Sequence, residues 1–257
     1  MPAAYDLLAP HYDAVTGDCA AEAAFVRSLV EQRNGTAVTM LDVACGTGGM
    51  TALLAGGYQV SGLDISPRML TVARGRLPEG TPLYLADMAC FDLGTAFDAI
   101  VCAYQGINHL LTFPAWESFF RCVCGHLREG GVFVFDITTV GYLETMARTS
   151  RLVQQFGDNY VLTRVRKAPA GFLFEWRIEV FELQGNGSYR LLESSIWTRS
   201  FPLRDIRQAL RRIFQDVRSI NSHGAPAGQD GDDRIWFVCS AHPPLTPRGG
   251  GGRPRRE

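Results

Sequence analysis

Through its first 140 residues the chain alternates short apolar runs with segments whose apolar residues recur every three or four positions. VTMLDV (38–43), YQVSGLDIS (58–66), TPLYLAD (81–87), FDAIVCAY (97–104) and VFVFDI (132–137) read as strands. AAEAAFVRSLVEQR (20–33) places Ala24, Phe25, Leu29 and Val30 at helical spacing and ends at Asn34-Gly35. PRMLTVARGRL (67–77) reads as a helix with Ser66 as its cap and Pro67 at its first position. FPAWESFFRCVCGHL (113–127) is a further helix, and Glu129-Gly130-Gly131 turns into the fifth strand. Near-continuous apolar strands alternating with helices predict a parallel sheet covered on both faces.

After residue 150 the period shortens. RLVQQFG, NYVLTRVRKA, FLFEWRIEVFEL and YRLLESSIWTRSF alternate like strands with one wet face, with a turn at Gly185-Asn186-Gly187. LRDIRQALRRIF (203–214) returns to helical spacing, followed by strands around DVRSI and RIWFVCSA. The expected organisation is an N-terminal lid and helix (1–34), a Rossmann-like core (35–140), an antiparallel insertion covering the active site (141–201) and the remainder of the core (202–243). A disordered, Gly/Pro/Arg-rich tail (244–257) closes the chain. The α/β class follows, with a seven-stranded, mostly parallel sheet and helices on both faces.

Composition narrows the partners. The 257 residues carry a net charge of −1, which disfavours general nucleic-acid binding. The N-terminus has no signal-peptide pattern and no apolar run is long enough to span a membrane, so a cytoplasmic protein is expected. Seven cysteines without framework spacing fit reduced thiols, and Cys122-x-Cys124 lacks the companions a metal site needs; no metal is expected.

The chemistry concentrates at residues 38–49, VTMLDVACGTGG. A strand entering a glycine turn at 46, 48 and 49 and then a helix, MTALLAGG, is a cofactor cradle: glycine permits close backbone approach and the helix start offers free N–H groups. Gly46 and Gly48 fit the first two positions of a dinucleotide fingerprint, but Thr51 occupies the third. Asp64, 18 residues beyond Gly46, can accept both hydroxyls of an adenosine ribose. These features leave nicotinamide and other adenosine cofactors open.

LDVACGTGG resembles motif I of class I S-adenosylmethionine (SAM)-dependent methyltransferases, and GLDIS, LADM, FDAIVCAYQGINHL and HLREGGVFVFDI resemble the segments that follow in that family. The resemblance implies SAM as cofactor and S-adenosylhomocysteine as product. It implies that Ala44, Gly46 and Gly48 form the methionine end, that Asp64 and Ile65 meet the ribose, and that Asp87 and Met88 meet the adenine. A carbonyl near Ala103 would receive the methionine ammonium. YDLLAPHYD and the strand-rich insertion resemble bacterial amino-sugar and glycine/sarcosine-like N-methyltransferases, in which a lid tyrosine closes on SAM; by position this is Tyr12. A small-molecule acceptor is implied, with an amine favoured over a hydroxyl. Tyr104, Gln105, Asn108 and His109 follow the fourth strand and face the acceptor, His109 being the group able to move a proton near neutral pH. Trp176 and Trp197 on the insertion are candidates for the acceptor wall, though alternation turns about half of such residues away. Rival readings are an RNA- or protein-directed methyltransferase, a non-catalytic SAM-binding protein and an NAD(P)-dependent oxidoreductase. A homodimer is the candidate assembly.

Overall fold

The computed structural model describes residues 2–149, 152–169, 171–227 and 232–241. In chain order the elements are α1 (Pro2–Leu8), α2 (Tyr12–Thr16), α3 (Ala20–Arg33), β1 (Thr39–Val43), α4 (Gly49–Leu54), β2 (Gln59–Asp64), α5 (Pro67–Arg76), β3 (Leu83–Leu85) and β4 (Phe97–Cys102). A 3-10 turn (Gly106–His109) then leads to α6 (Phe113–Gly125), β5 (Leu127–Thr138) and α7 (Val140–Arg148). The strands β6 (Leu152–Phe156), β7 (Asn159–Lys167), β8 (Leu173–Leu183) and β9 (Tyr189–Arg199) follow, then α8 (Leu203–Arg211), β10 (Asp216–Asn221) and β11 (Arg234–Ser240).

Seven strands form one sheet in the order β10-β11-β5-β4-β1-β2-β3, and β6 to β9 form a second, antiparallel sheet. β1 to β5 run parallel, and β11 pairs antiparallel with both β5 and β10. The Rossmann-like architecture with an antiparallel insertion is as expected. Alternation along β5 builds both halves of the core. Phe133, Phe135 and Ile137 pack towards α6 and α8, while Val132 and Val134 pack towards α3 and α4. The aromatic side is stacked, with Phe133 and Phe135 rings 4.7 Å apart and Phe135 and Phe237 rings 4.9 Å apart.

Three local expectations change. The buried stripe of α3 is Ala23, Val26, Leu29 and Val30; Ala24 is exposed, and Phe25 lies on its edge against Trp236. Both stripes have helical spacing, so packing chose between them. Glu129-Gly130-Gly131 lies within β5 as a bulge, because β5 carries the chain from Leu127 to Val132 while β4 advances only from Phe97 to Ala99. The segment read as entirely β from residue 141 begins with α7, capped by the Thr139 hydroxyl accepting from the Tyr142 N–H. Leu143, Met146 and Ala147, at helical spacing, seat α7 on Val165 and Phe174. The tail from 244 lies outside the described residues.

The order β4-β1-β2 reverses the direction of winding between β1 and β4. In open α/β sheets the crevice beyond the carboxyl ends of such strands is where ligands bind. Sheet β6–β9 sits over that crevice, with α1 and α2 between: Leu8 packs with Val161, Ile178, Val180 and Ile196, against which Tyr5 and Val15 also lie.

Candidate active site

The glycine turn begins where β1 stops. Ala44 has φ 58°, Gly46 56° and Gly48 75°, the left-handed conformation that costs a residue with a Cβ free energy. At Gly46 a Cβ would come within 3.7 Å of the Tyr12 ring, in the gap between turn and lid. Gly48 has a different reason: a Cβ there would lie 3.1 Å from that of Ala73, so it admits α5 and does not line the cleft. Asp64, at the end of β2, accepts from the Gly46 N–H and the Ser66 N–H, each at 2.8 Å, and so ties the turn to the start of α5. Burial raises its pKa against the pull of those N–H groups.

Above the strand ends opens a cleft of about 840 Å³. Ala44, Gly46, Asp64 and Ile65 form one side, Asp87 and Met88 another, and Ala103 and Tyr104 the end of β4. Ile65 is 43% exposed, an apolar surface at the cleft that a planar ring can cover. Asp87 accepts from the Ala89 N–H at 2.8 Å and is otherwise exposed to the cleft. The cleft continues into a pocket between Asp42, Thr47, Ala103, Tyr12 and Tyr104. Asp42 is buried in β1; desolvation pushes it up to about 7, opposed by the Thr51 hydroxyl, which donates to it at 2.6 Å. An acid inside an apolar strand is visible in the sequence, but the motif reading passed over it.

The lid is held by the two aromatic-acid pairs of the N-terminus. The acids point at the cradle: Asp6 accepts from the Ser66 hydroxyl at 2.6 Å, and Asp13 accepts from the Thr47 hydroxyl at 2.6 Å and pairs with Arg76. The tyrosines turn into the cleft, their rings meeting edge-on at 6.1 Å. Burial raises both, Tyr12 to about 12, so both are hydroxyl donors at neutral pH. Tyr5 was not singled out from sequence, although it repeats the Tyr-Asp pattern of Tyr12.

A second cavity, of about 830 Å³, lies between the lid, the 3-10 turn and the inner face of sheet β6–β9. It shares Tyr5, Tyr12, Tyr104 and His109 with the cleft. Oη of Tyr5 is 2.8 Å from Nε2 of His109, whose Nδ1 is buried without a partner. Desolvation pushes His109 down to about 4, against a smaller pull from the Trp197 backbone. Trp176 lies in the cavity wall and donates to the Thr198 hydroxyl at 2.9 Å. Trp197 does not line the cavity, because its neighbours Ile196 and Thr198 occupy the inner face of β9.

Gln105 and Asn108 line the same cavity but are engaged elsewhere. The backbone and side-chain N–H groups of Gln105 donate to Asp136 at 3.1 Å, and Asn108 bridges Thr138 and the Arg199 carbonyl. Tyr104 and Gln105 have φ 55° and 57°. This strained pair is anchored by Asp136, which is buried and paired with Arg234, whose guanidinium lies 5.3 Å from the Tyr104 ring centre and 4.5 Å from that of Trp236. Among the described residues no cluster of His, Cys, Asp and Glu could hold a metal.

Residues 40–131 match the methyltransferase-domain family. The solved structure of a SAM-dependent methyltransferase from Clostridium acetobutylicum superposes with a TM-score of 0.79 at 22% identity, covering 93% of this chain and 99% of the other. A sugar N-methyltransferase from a Streptoalloteichus species gives 0.73 at 27% identity, covering 90% and 91%. Sheet order, glycine turn and domain match together define a class I SAM-dependent methyltransferase fold. In sequence the chain is similar to bacterial amino-sugar N-methyltransferases over about half its length. It is 38% identical over 120 residues to the dTDP-3-amino-3,4,6-trideoxy-alpha-D-glucopyranose N,N-dimethyltransferase of Streptomyces venezuelae, over 46% of this chain and 50% of the relative. It is also 38% identical over 130 residues to the dTDP-4-amino-2,3,4,6-tetradeoxy-D-glucose N,N-dimethyltransferase of Saccharopolyspora spinosa, over 49% and 52%. The chain thus spans about half the length of these curated relatives. The lining of the cleft fits SAM: it offers a carboxylate at Asp64 able to take two hydroxyls, an acid at Asp87 flanked by apolar Ile65 and Met88, and at Gly46 the positive φ that favours glycine.

Proposed function

We propose that this chain is a SAM-dependent methyltransferase acting on a nitrogen of a small natural product or metabolite. The observation that carries the reading is the wall shared by two cavities: a cleft floored by Asp64 meets a second cavity at Tyr5, Tyr12, Tyr104 and His109. Two sites separated by a few side chains are what in-line group transfer requires. In this reading Asp64 holds the ribose hydroxyls, Asp87 the adenine amino group, and Ile65 and Met88 its ring. Ala44, Gly46 and Ala103 line the methionine end, with Asp42 buried beside it. SAM, when bound, supplies a methyl group already activated on a sulfonium.

The protein's own part is then alignment and control of charge. An amine entering a cavity with no ionised wall is driven towards its neutral, nucleophilic form by desolvation. The protonated Tyr5 hydroxyl donates to Nε2 of His109 and so holds the imidazole, neutral above about pH 4, in the wall shared by the two cavities. A histidine pushed that low is a weak base for deprotonating an alcohol, which favours nitrogen over oxygen. The names of the curated relatives, both N,N-dimethyltransferases of amino sugars, support the same preference. Seven free cysteines support a cytoplasmic setting. Incubation with methyl-labelled SAM and a matched panel of amines and alcohols tests the reading. Label on nitrogen, with release of S-adenosylhomocysteine, is expected; label on oxygen alone contradicts it.

A further inference from the structure

The second cavity is unlike what a nucleotide-linked sugar needs. Its walls include Leu8, Leu143, Trp176, Ile178 and Ile196, and among the described residues none that lines it is Lys, Arg, Asp or Glu. A diphosphate brings negative charge that must be met by cations or by several free donors when it leaves water. Its amide and indole donors are engaged, and what is left is neutral hydroxyls such as those of Tyr12 and Thr138. Trp176 donates to Thr198, the Asn108 amide to main-chain carbonyls, the Gln105 amide to Asp136, and the Thr16 hydroxyl to the Tyr12 carbonyl. Among the described cations of the covering sheet, Arg164 pairs with Glu179, Arg177 with Glu193 and Lys167 with Glu144, and none of the three lines the cavity. Arg199 donates to the Leu111 carbonyl and lies 5.1 Å from the Phe201 ring centre. The alternation of β8 accounts for this, since Trp176 and Ile178 line the cavity while the intervening Arg177 does not.

We infer that the acceptor cavity takes a molecule with a largely apolar body and no charge beyond its reacting amine, and excludes nucleotide-linked sugars of the kind named in the curated relatives. This rests on the methyltransferase reading of the adjoining cleft.

The test uses the full chain loaded with S-adenosylhomocysteine, whose binding is first measured by calorimetry. Failure at that step contradicts the methyltransferase reading and not the acceptor inference. On the loaded protein Nile red, an uncharged aromatic probe, is expected to bind with enhanced, blue-shifted emission, and dTDP at millimolar concentration is expected to leave that emission unchanged. Ile178→Arg is expected to weaken Nile red by at least about tenfold while S-adenosylhomocysteine still binds. Ile196→Glu serves as a second variant should the first fail to fold, and the dTDP competition on the parent protein needs neither. Absence of Nile red binding, displacement by dTDP, or emission that a folded variant leaves unaltered would overturn the inference.

Discussion

Each carboxylate oxygen of Asp64 accepts one backbone N–H, from Gly46 and from Ser66, which leaves each a lone pair for a ligand hydroxyl. Three other titratable groups lie around the cleft. His109 stays neutral in the folded chain down to about pH 4, whereas unfolded histidine protonates near 6.5, so its contribution to stability declines as pH falls through that window. Asp42, at about 7 against an ordinary 3.8, keeps a proton that the unfolded chain has lost, so its contribution declines as pH rises. The two oppose each other between pH 4 and 6.5. We expect His109→Asn to gain on the parent protein by on the order of 2 kcal/mol as pH falls across that window, and Asp42→Asn to gain as pH rises towards neutrality. Urea midpoints at about pH 4.5 and about pH 7 measure both. Raised Tyr12, at about 12, plays no part in that window. Residues of this kind were legible in the sequence where a motif fixes their spacing, as at Asp64 and Asp87. Tyr5 and Asp42 were not, because their role follows from what folds over them.

At the scale of elements, α1 and α2 are too short to be stable alone and depend on their contacts. Their anchors are Asp6 on Ser66, Asp13 on Thr47 and Arg76, the Ala4 carbonyl accepting from Ser194, and His11 beside Glu182. The lid is therefore tied to the cradle on one side and to the covering sheet on the other. Asp13→Ala is expected to leave the melting temperature almost unchanged, since its Arg76 pair is substantially exposed, while S-adenosylhomocysteine dissociates about three- to tenfold faster in stopped flow. The sequence showed both Tyr-Asp pairs, but which side chain latches and which enters the cleft is set by the two surfaces they bridge. For α7 the signal was present at Thr139, Leu143 and Met146, yet it lay at the border of a β-patterned region and its partners, Val165 and Phe174, come later in the chain.

For the whole molecule, the parallel sheet was legible because its central strands β1, β4 and the second half of β5 are buried on both faces and so read as apolar runs. Asp136 interrupts one of those runs, a fully buried acid whose charge is met by Arg234 from the antiparallel strand β11. This pair connects β11 to the strained Tyr104-Gln105 corner. Arg234→Leu leaves Asp136 buried without its cation and is expected to cost about 3–5 kcal/mol in urea unfolding, with much of it recovered when Asp136→Leu is added. No sequence pattern pairs residues 98 positions apart; the register of β5 with β11 does. The arginines of α8 are partly engaged, Arg207 with Ser219 and the Ala227 carbonyl and Arg204 with Asp205. The claim on which all else depends is that the cleft holds SAM through Asp64. Calorimetric titration with SAM, S-adenosylhomocysteine and NADH, on the parent protein and on a folded Asp64→Ala variant, tests it most directly. Binding of the two adenosyl ligands alone, weakened roughly a hundredfold by the substitution, is the predicted result; binding of NADH alone, or adenosyl binding indifferent to Asp64, would contradict it.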